Sequence, residues 1–141
     1  MTERQSIIFK FIKKFIAFEV KLKKLGYFKK SIKRKNVEVD WDSFQKDYAR
    51  MINELVEGNK KEFQYLITHP PKKMCVKDNV ITFDRTMSDD HAKELLISLR
   101  AIRNNLFHGG KFDGEELSGS ERNMTLLNSA IIVLRKLESS L

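Results

Sequence analysis

The amino-acid sequence predicts an all-α fold, roughly a four-helix up-and-down bundle with a small hairpin or loop insertion before the third long helix. Three observations predict it. Apolar residues recur at helical spacing through most of the chain, and glycine and proline are scarce, at six and two of 141 residues. Only the stretch from Met74 to Phe83 carries a strand-like pattern. With 41% hydrophobic and 33% charged residues, a chain of this length fits one domain spanning residues 1–141, large enough to bury a core without disulfides or metals.

In the first element Ile8, Phe11, Ile12, Phe15, Phe18, Leu22 and Leu25 recur on one side, with Lys10, Lys13, Lys14, Lys21 and Lys24 projecting from the opposite side. Gly26 closes this amphipathic helix. A basic stretch, Lys29 to Lys35, then leads to Asp40, which is placed to cap a second helix carrying Trp41, Phe44, Tyr48, Met51, Ile52 and Leu55. Gly58-Asn59 breaks or bends it, the helical pattern resumes through Phe63 and Leu66, and Pro70-Pro71 prevents continuation. Met74-Cys75-Val76 and Val80 to Phe83 flank Lys77-Asp78-Asn79 as a short hairpin or an irregular loop. Ser88 is placed to cap the third long helix, with Asp89 and Asp90 in its first turn, a core stripe of Ala92, Leu95, Leu99, Ile102 and Leu106, and an end at Gly109-Gly110. Ser118 and Glu121 stand at capping-box spacing before a last helix that is apolar nearly all round and is expected to be the most buried or to meet a second subunit.

Charge and cysteine usage narrow the class. Cys75 is the only cysteine, so no intramolecular disulfide and no thiolate zinc cluster is expected, and a reducing cytoplasm is the natural home. Lysines interrupt the apolar segment Ile7 to Phe18 where a signal peptide would be continuous, and no run reaches transmembrane length, so no membrane insertion is expected. The net charge of +8 is concentrated: Lys10 to Lys35 holds eleven basic residues against the single Glu19, and the rest of the chain is near balance. Such a patch suits nucleic acid or an anionic membrane surface, although a solvated lysine face has the same composition. A peripheral membrane role would need the apolar side of the first helix, which the core also needs.

The chemistry-bearing stretch is Arg103-Asn104-Asn105-Leu106-Phe107-His108-Gly109, near the end of the third long helix. Arginine offers phosphate oxygens a permanent charge and a fork of donors, and histidine moves protons near neutral pH. With Arg103 as zero on a helical wheel, the core stripe centres near about 290°, Asn104 falls at about 100° and His108 at about 140°. Arg103 lies at the core edge beside Leu96 and Phe107, and its side chain is long enough to reach the Asn104 side. Ile97 and Ala101 share the face of Asn104 and His108, and a small residue there would let a second copy of the helix approach across a two-fold axis. The same Arg and His also suit a purely structural end, where both complement the last carbonyls of a helix. His69 and His91 stand at no ligand spacing and read as surface residues, so no metal site is expected.

Arg103, the polar Asn104 directly after it and His108 beyond resemble the signature of the HEPN superfamily: an arginine, four to six residues, then a histidine, on a late long helix followed by one final helix. Many HEPN domains are metal-independent endoribonucleases of toxin, antiviral-defence and RNA-processing systems, acting as dimers with a composite site. The resemblance implies a single HEPN-like domain over 1–141, RNA as substrate, a homodimer, and the toxin role of a toxin–antitoxin or phage-defence pair with an antitoxin protein as partner. It further implies that Arg103 stabilises the phosphate, His108 acts in acid–base chemistry and Asn104 positions them, without a cofactor, giving 2′,3′-cyclic phosphate ends. Lys10, Lys13, Lys14, Lys21 and Lys24 would attract the RNA electrostatically. Gly110 stands where HEPN toxins silenced by nucleotidyltransferase antitoxins commonly carry tyrosine, so that mode of control is not implied. Other HEPN domains are inactive and serve as nucleotide-binding or dimerisation modules, and that alternative remains open on the sequence.

Overall fold

A computed structural model describes residues 1–30, 36–58, 60–71, 73–84, 90–107 and 121–141. Among these residues the elements run α1 Glu3–Lys24, α2 Trp41–Gly58, α3 Lys60–Thr68, β1 Lys73–Lys77, β2 Val80–Asp84, α4 His91–Phe107 and α5 Glu121–Ser139. The fold is all-α with one hairpin. Helical residues run to Gly58 and resume at Lys60, giving five helical segments among the described residues, and the break or bend expected at Gly58-Asn59 falls on Asn59, which lies outside them.

Local chemistry sets most of the element ends. Thr2 begins α1 with a reciprocal capping box, its hydroxyl accepting from the Gln5 amide at 3.2 Å while the Gln5 side chain accepts from the Thr2 amide at 2.9 Å. At the other end Gly26, with φ +98°, takes the left-handed conformation that a side chain resists. Its amide donates to Lys23 O at 3.0 Å and that of Tyr27 to Leu22 O at 2.9 Å, the paired bonds of a Schellman close. Asp40 caps α2, its carboxylate accepting from the Ser43 amide at 3.2 Å and the Ser43 hydroxyl at 2.6 Å. Asp90 caps α4 through bonds from the amides of Ala92 and Lys93 at 3.0 and 3.3 Å. Ser88, expected in that role, lies outside the described residues, as does Ser118 before α5. The hairpin pairs Lys73–Lys77 antiparallel with Val80–Asp84, and Asp78 and Asn79, at φ 52° and 61°, form the two-residue turn that suits its twist.

Packing joins α1 to α5, α2 to α4, and α3 to both α4 and α5. Helix α5 is buried on one broad side, through residues that include Leu126, Leu127, Ala130, Ile131, Val133, Leu134 and Leu137, while Thr125, Asn128, Arg135 and Ser139 leave its other side exposed. Between α1 and α2 aromatic rings form an unbroken seam. Phe11 meets Phe15 at 5.8 Å, Phe15 and Phe18 meet Trp41 at 5.9 and 6.2 Å, and Phe44 meets Phe18, Tyr27 and Tyr48 at 5.8, 5.5 and 5.1 Å. A short antiparallel clip completes the link: Lys29 N donates to Glu38 O at 2.9 Å and Asp40 N to Tyr27 O at 3.1 Å. The Tyr27 hydroxyl, at the end of the seam, donates to Asp47 Oδ2 at 2.7 Å.

One expectation for α1 is corrected. Leu25 is exposed, and the side opposite the core is not simply a lysine face, because Phe9, Ile16 and Val20 are exposed on it. Seven-residue and four-residue spacings align those three into a second apolar stripe, which a search for a single core stripe passes over.

The seam generates two expectations. Phe18 is fully buried, so Phe18→Ala is expected to cost about 3–5 kcal/mol in urea unfolding through lost transfer energy and the cavity left behind. The bond to Asp47, helped by burial, raises the Tyr27 phenol from 10.0 to about 12. A folded pKa above the unfolded one stabilises the native state fully below pH 10 and loses that stabilisation as pH rises towards 12. Ultraviolet titration is therefore expected to show one late-ionising tyrosine that Asp47→Asn returns towards the ordinary range.

Candidate functional site

Helix α4 is wrapped by the rest of the chain on most of its circumference. Ala92, Leu95, Leu96, Leu99 and Ile102 are buried on one side, and Glu94, Ser98, Ala101 and Asn105 are buried on another, where the Ser98 hydroxyl donates to Leu66 O at 3.3 Å. What remains open is a narrow strip of about 100° carrying Lys93, Arg100, Asn104 and Phe107, with Arg103 at its edge. Trp41 of α2 and Phe15 of α1 meet its arginines without closing over it.

Three aromatic rings hold the two arginines of this strip. The Arg103 guanidinium lies 5.1 Å from the Phe107 ring centre and 6.0 Å from that of Phe15 on α1, and Arg100 lies 5.3 Å from Trp41 on α2. Ring faces attract the cations and fix the guanidinium planes. Arg103 Nη1 donates to Asn104 Oδ1 at 3.0 Å, so guanidinium and amide form one unit on the exposed edge. Arg103 Nε is sheltered from water with no hydrogen-bond partner. Burial lowers the pKa of Arg100, Arg103 lowers it further, and Asp42 and Glu19 oppose the shift. Two cations thus sit at the mouth of a surface whose nearby carboxylates temper them.

Arg103 and Asn104 are brought together at the C-terminal end of α4, whereas His108 lies outside the described residues. The lysines are not brought to this strip. On α1, Lys10, Lys13, Lys14, Lys21 and Lys24 lie about 100–180° around the helix from Phe15, the residue that Arg103 stacks on. Lys10, Lys13 and Lys24 are exposed, Lys13 Nζ lies 5.6 Å from the Phe9 ring centre, and Lys21 Nζ donates to Glu138 O on α5 at 3.0 Å. Ala101, expected to admit a second copy of the helix, is buried within the single chain, because α4 packs against α3 and β1 as well as α2.

Sequence reasoning missed Arg100, although a wheel puts it about 60° from Arg103 on the open side. It also missed the aromatic shelf. Phe15 and Trp41 were legible as helix-face residues, but their adjacency to α4 is a tertiary fact. His69 and His91 are exposed as expected, and His69 stacks on Tyr65 with ring centres 4.4 Å apart.

No family model matches the chain, and neither the curated proteins nor the solved structures include a match. Among the described residues no helix is long and apolar enough to cross a membrane.

The Arg103–Phe107 contact is expected to give a coupling of about 0.5–1 kcal/mol in a double-mutant cycle of Arg103→Met and Phe107→Ala, read by urea unfolding, since both groups lie at the surface edge. A coupling near zero would show that the stacking contributes nothing to the placement of the guanidinium.

Proposed function

We propose that the chain is an RNA endonuclease of the HEPN type, acting as a homodimer with Arg103, Asn104 and His108 contributed to a composite site. The observation that carries the reading is the Arg103–Asn104 unit, a guanidinium clamped by aromatic rings and joined to an amide at 3.0 Å on the one open strip of α4. His108 follows four residues after Asn104, in the place that the HEPN resemblance requires. The reaction is attack of a ribose 2′-hydroxyl on the adjacent phosphate, with the 5′-oxygen of the next nucleotide as leaving group, giving a 2′,3′-cyclic phosphate and a 5′-hydroxyl. Arg103 meets the charge developing on the phosphorane oxygens, and an imidazole at His108 transfers a proton, a contribution worth about 10²–10⁴-fold.

The lysines of α1 act at longer range. Because they face away from Arg103, they raise the local concentration of RNA without positioning the scissile bond. The biological setting proposed with this chemistry is that of a cytoplasmic toxin in a toxin–antitoxin or phage-defence pair, held in check by an antitoxin protein.

A second reading is favoured by one feature. Arg100 and Arg103, each stacked on an aromatic ring, form an anion-binding shelf that needs no histidine, as a non-catalytic nucleotide- or nucleic-acid-binding module would use.

Arg103→Ala and His108→Ala are each expected to lower cleavage of a labelled RNA by at least about 10²-fold while leaving the circular dichroism and the oligomeric state unchanged, with EDTA without effect. Products should carry cyclic phosphate. RNA binding without turnover by the unmodified chain would select the module instead.

A further inference from the structure

Helix α1 has two apolar faces. With Phe18 as zero on its wheel, the buried Phe11, Leu22 and Phe15 fall at about 20°, 40° and 60°, and Ile16, Phe9 and Val20 fall at about 160°, 180° and 200°. The second group is diametrically opposite the core and is 49%, 53% and 43% exposed. Each end of the stripe broadens into a shallow apolar depression. Met1, Gln5, Ile8, Phe9 and Ile12 line one of about 520 Å³, and Val20, Lys23, Lys24, Phe28 and Val37 line another of about 380 Å³. The three half-exposed side chains line up with the two depressions as one stripe and are not isolated surface residues.

Its borders decide what fits it. Lys23 lies at about 140° on one side, and Lys13 and Lys24 at about 220° and 240° on the other, with Lys10 beyond. A second copy docking through the same face would set lysines against lysines, so the occupant carries negative charge. The exposed stripe from Phe9 to Val20 is a convex helix ridge about 17 Å long that ends in two separate shallow depressions. A bilayer boundary adapts to such a ridge, takes in aromatic and aliphatic tips, and offers phosphates to the ammonium groups at the end of their flexible stems.

We propose that this ridge docks α1 flat on an anionic phospholipid surface, with Phe9, Ile16 and Val20 at the acyl boundary and the flanking lysines among the headgroup phosphates. The objection that α1 needs its apolar side for the core is met by the second face. Phe15, which carries Arg103, lies about 120° from the ridge, so the strip of α4 continues to face water when α1 is docked. The inference is independent of any nuclease activity.

The test is co-sedimentation of the full chain with vesicles of phosphatidylcholine alone or with roughly one-third phosphatidylglycerol. The chain is expected to pellet with the anionic vesicles only, and less as salt rises. Combined substitution Phe9→Ser, Ile16→Ser and Val20→Ser is expected to lower that partition at least about ten-fold with unchanged circular dichroism, since all three side chains are exposed. Lys13→Glu with Lys24→Glu should do the same, and single Ile16→Glu serves if the triple variant fails to fold. No pelleting of the unmodified chain, or equal pelleting of Ile16→Glu, overturns the proposal. Loss of a dimer in sedimentation velocity, or of binding to a single-stranded RNA, by the ridge variants without vesicle binding overturns it in favour of those occupants.

Discussion

The aromatic seam between α1 and α2 is the constraint on which the remaining architecture rests. Phe15 touches Trp41, Trp41 touches Phe18, Phe18 touches Phe44 and Phe44 touches Tyr27, and each ring supplies a large apolar area together with a preferred geometry, so the two helices meet in one register. The cap at Asp40, the Schellman close at Gly26 and the clip between Phe28 and Val39 hold the intervening chain to that register. Helix α4 then packs on α2, and its arginines meet the outer edge of the seam. Phe15 and Trp41 therefore serve two ends. Their inner edges belong to the hydrophobic core, and their ring faces seat Arg103 and Arg100.

This dual use explains why the cationic strip is narrow and ordered. A guanidinium on a helix surface ordinarily samples many rotamers, whereas one held between Phe15 and Phe107 and bonded to Asn104 has few left. The ordering cost is met on folding, ahead of any encounter with an anion, which is the physical sense of a preorganised site. Among the described residues the same packing sets the α4 arginines and the α1 lysines on different surfaces. Arginines face outward from α4, and the lysines of α1 lie around the far side of that helix beside an exposed apolar stripe.

Much of the fold was legible because the signals are local. Asp40, Gly26, Pro70-Pro71 and the Asp78-Asn79 turn act on backbone groups within a few residues, and each is found where its chemistry places it. The apolar content of α5 announced its broad burial in the same way. The candidate site was legible only in part. Residue type and helical position single out Arg103 and Asn104, whereas Arg100 belongs to no motif spacing and is marked only by its place about 60° from Arg103 on the same open strip. The exposed stripe of α1 goes unmarked for a related reason: a wheel shows which residues share a face, and a helix with two apolar faces leaves open which of them the core takes.

Residue order alone determined the helical pattern, the helix ends at Gly26 and Asp40 and the concentration of positive charge between Lys10 and Lys35, since all of these follow from periodicity, backbone chemistry and counting. Only the tertiary structure decided that Phe9, Ile16 and Val20 stay exposed on the side of α1 opposite its core stripe, that Ala101 is covered within the chain, and that Phe15 and Trp41 lie beneath two arginines more than fifty residues away. The reason is that burial is a property of the whole assembly. An apolar side chain gains the same free energy against any partner, so the choice among faces is made by which arrangement of all the helices leaves the least apolar surface in water.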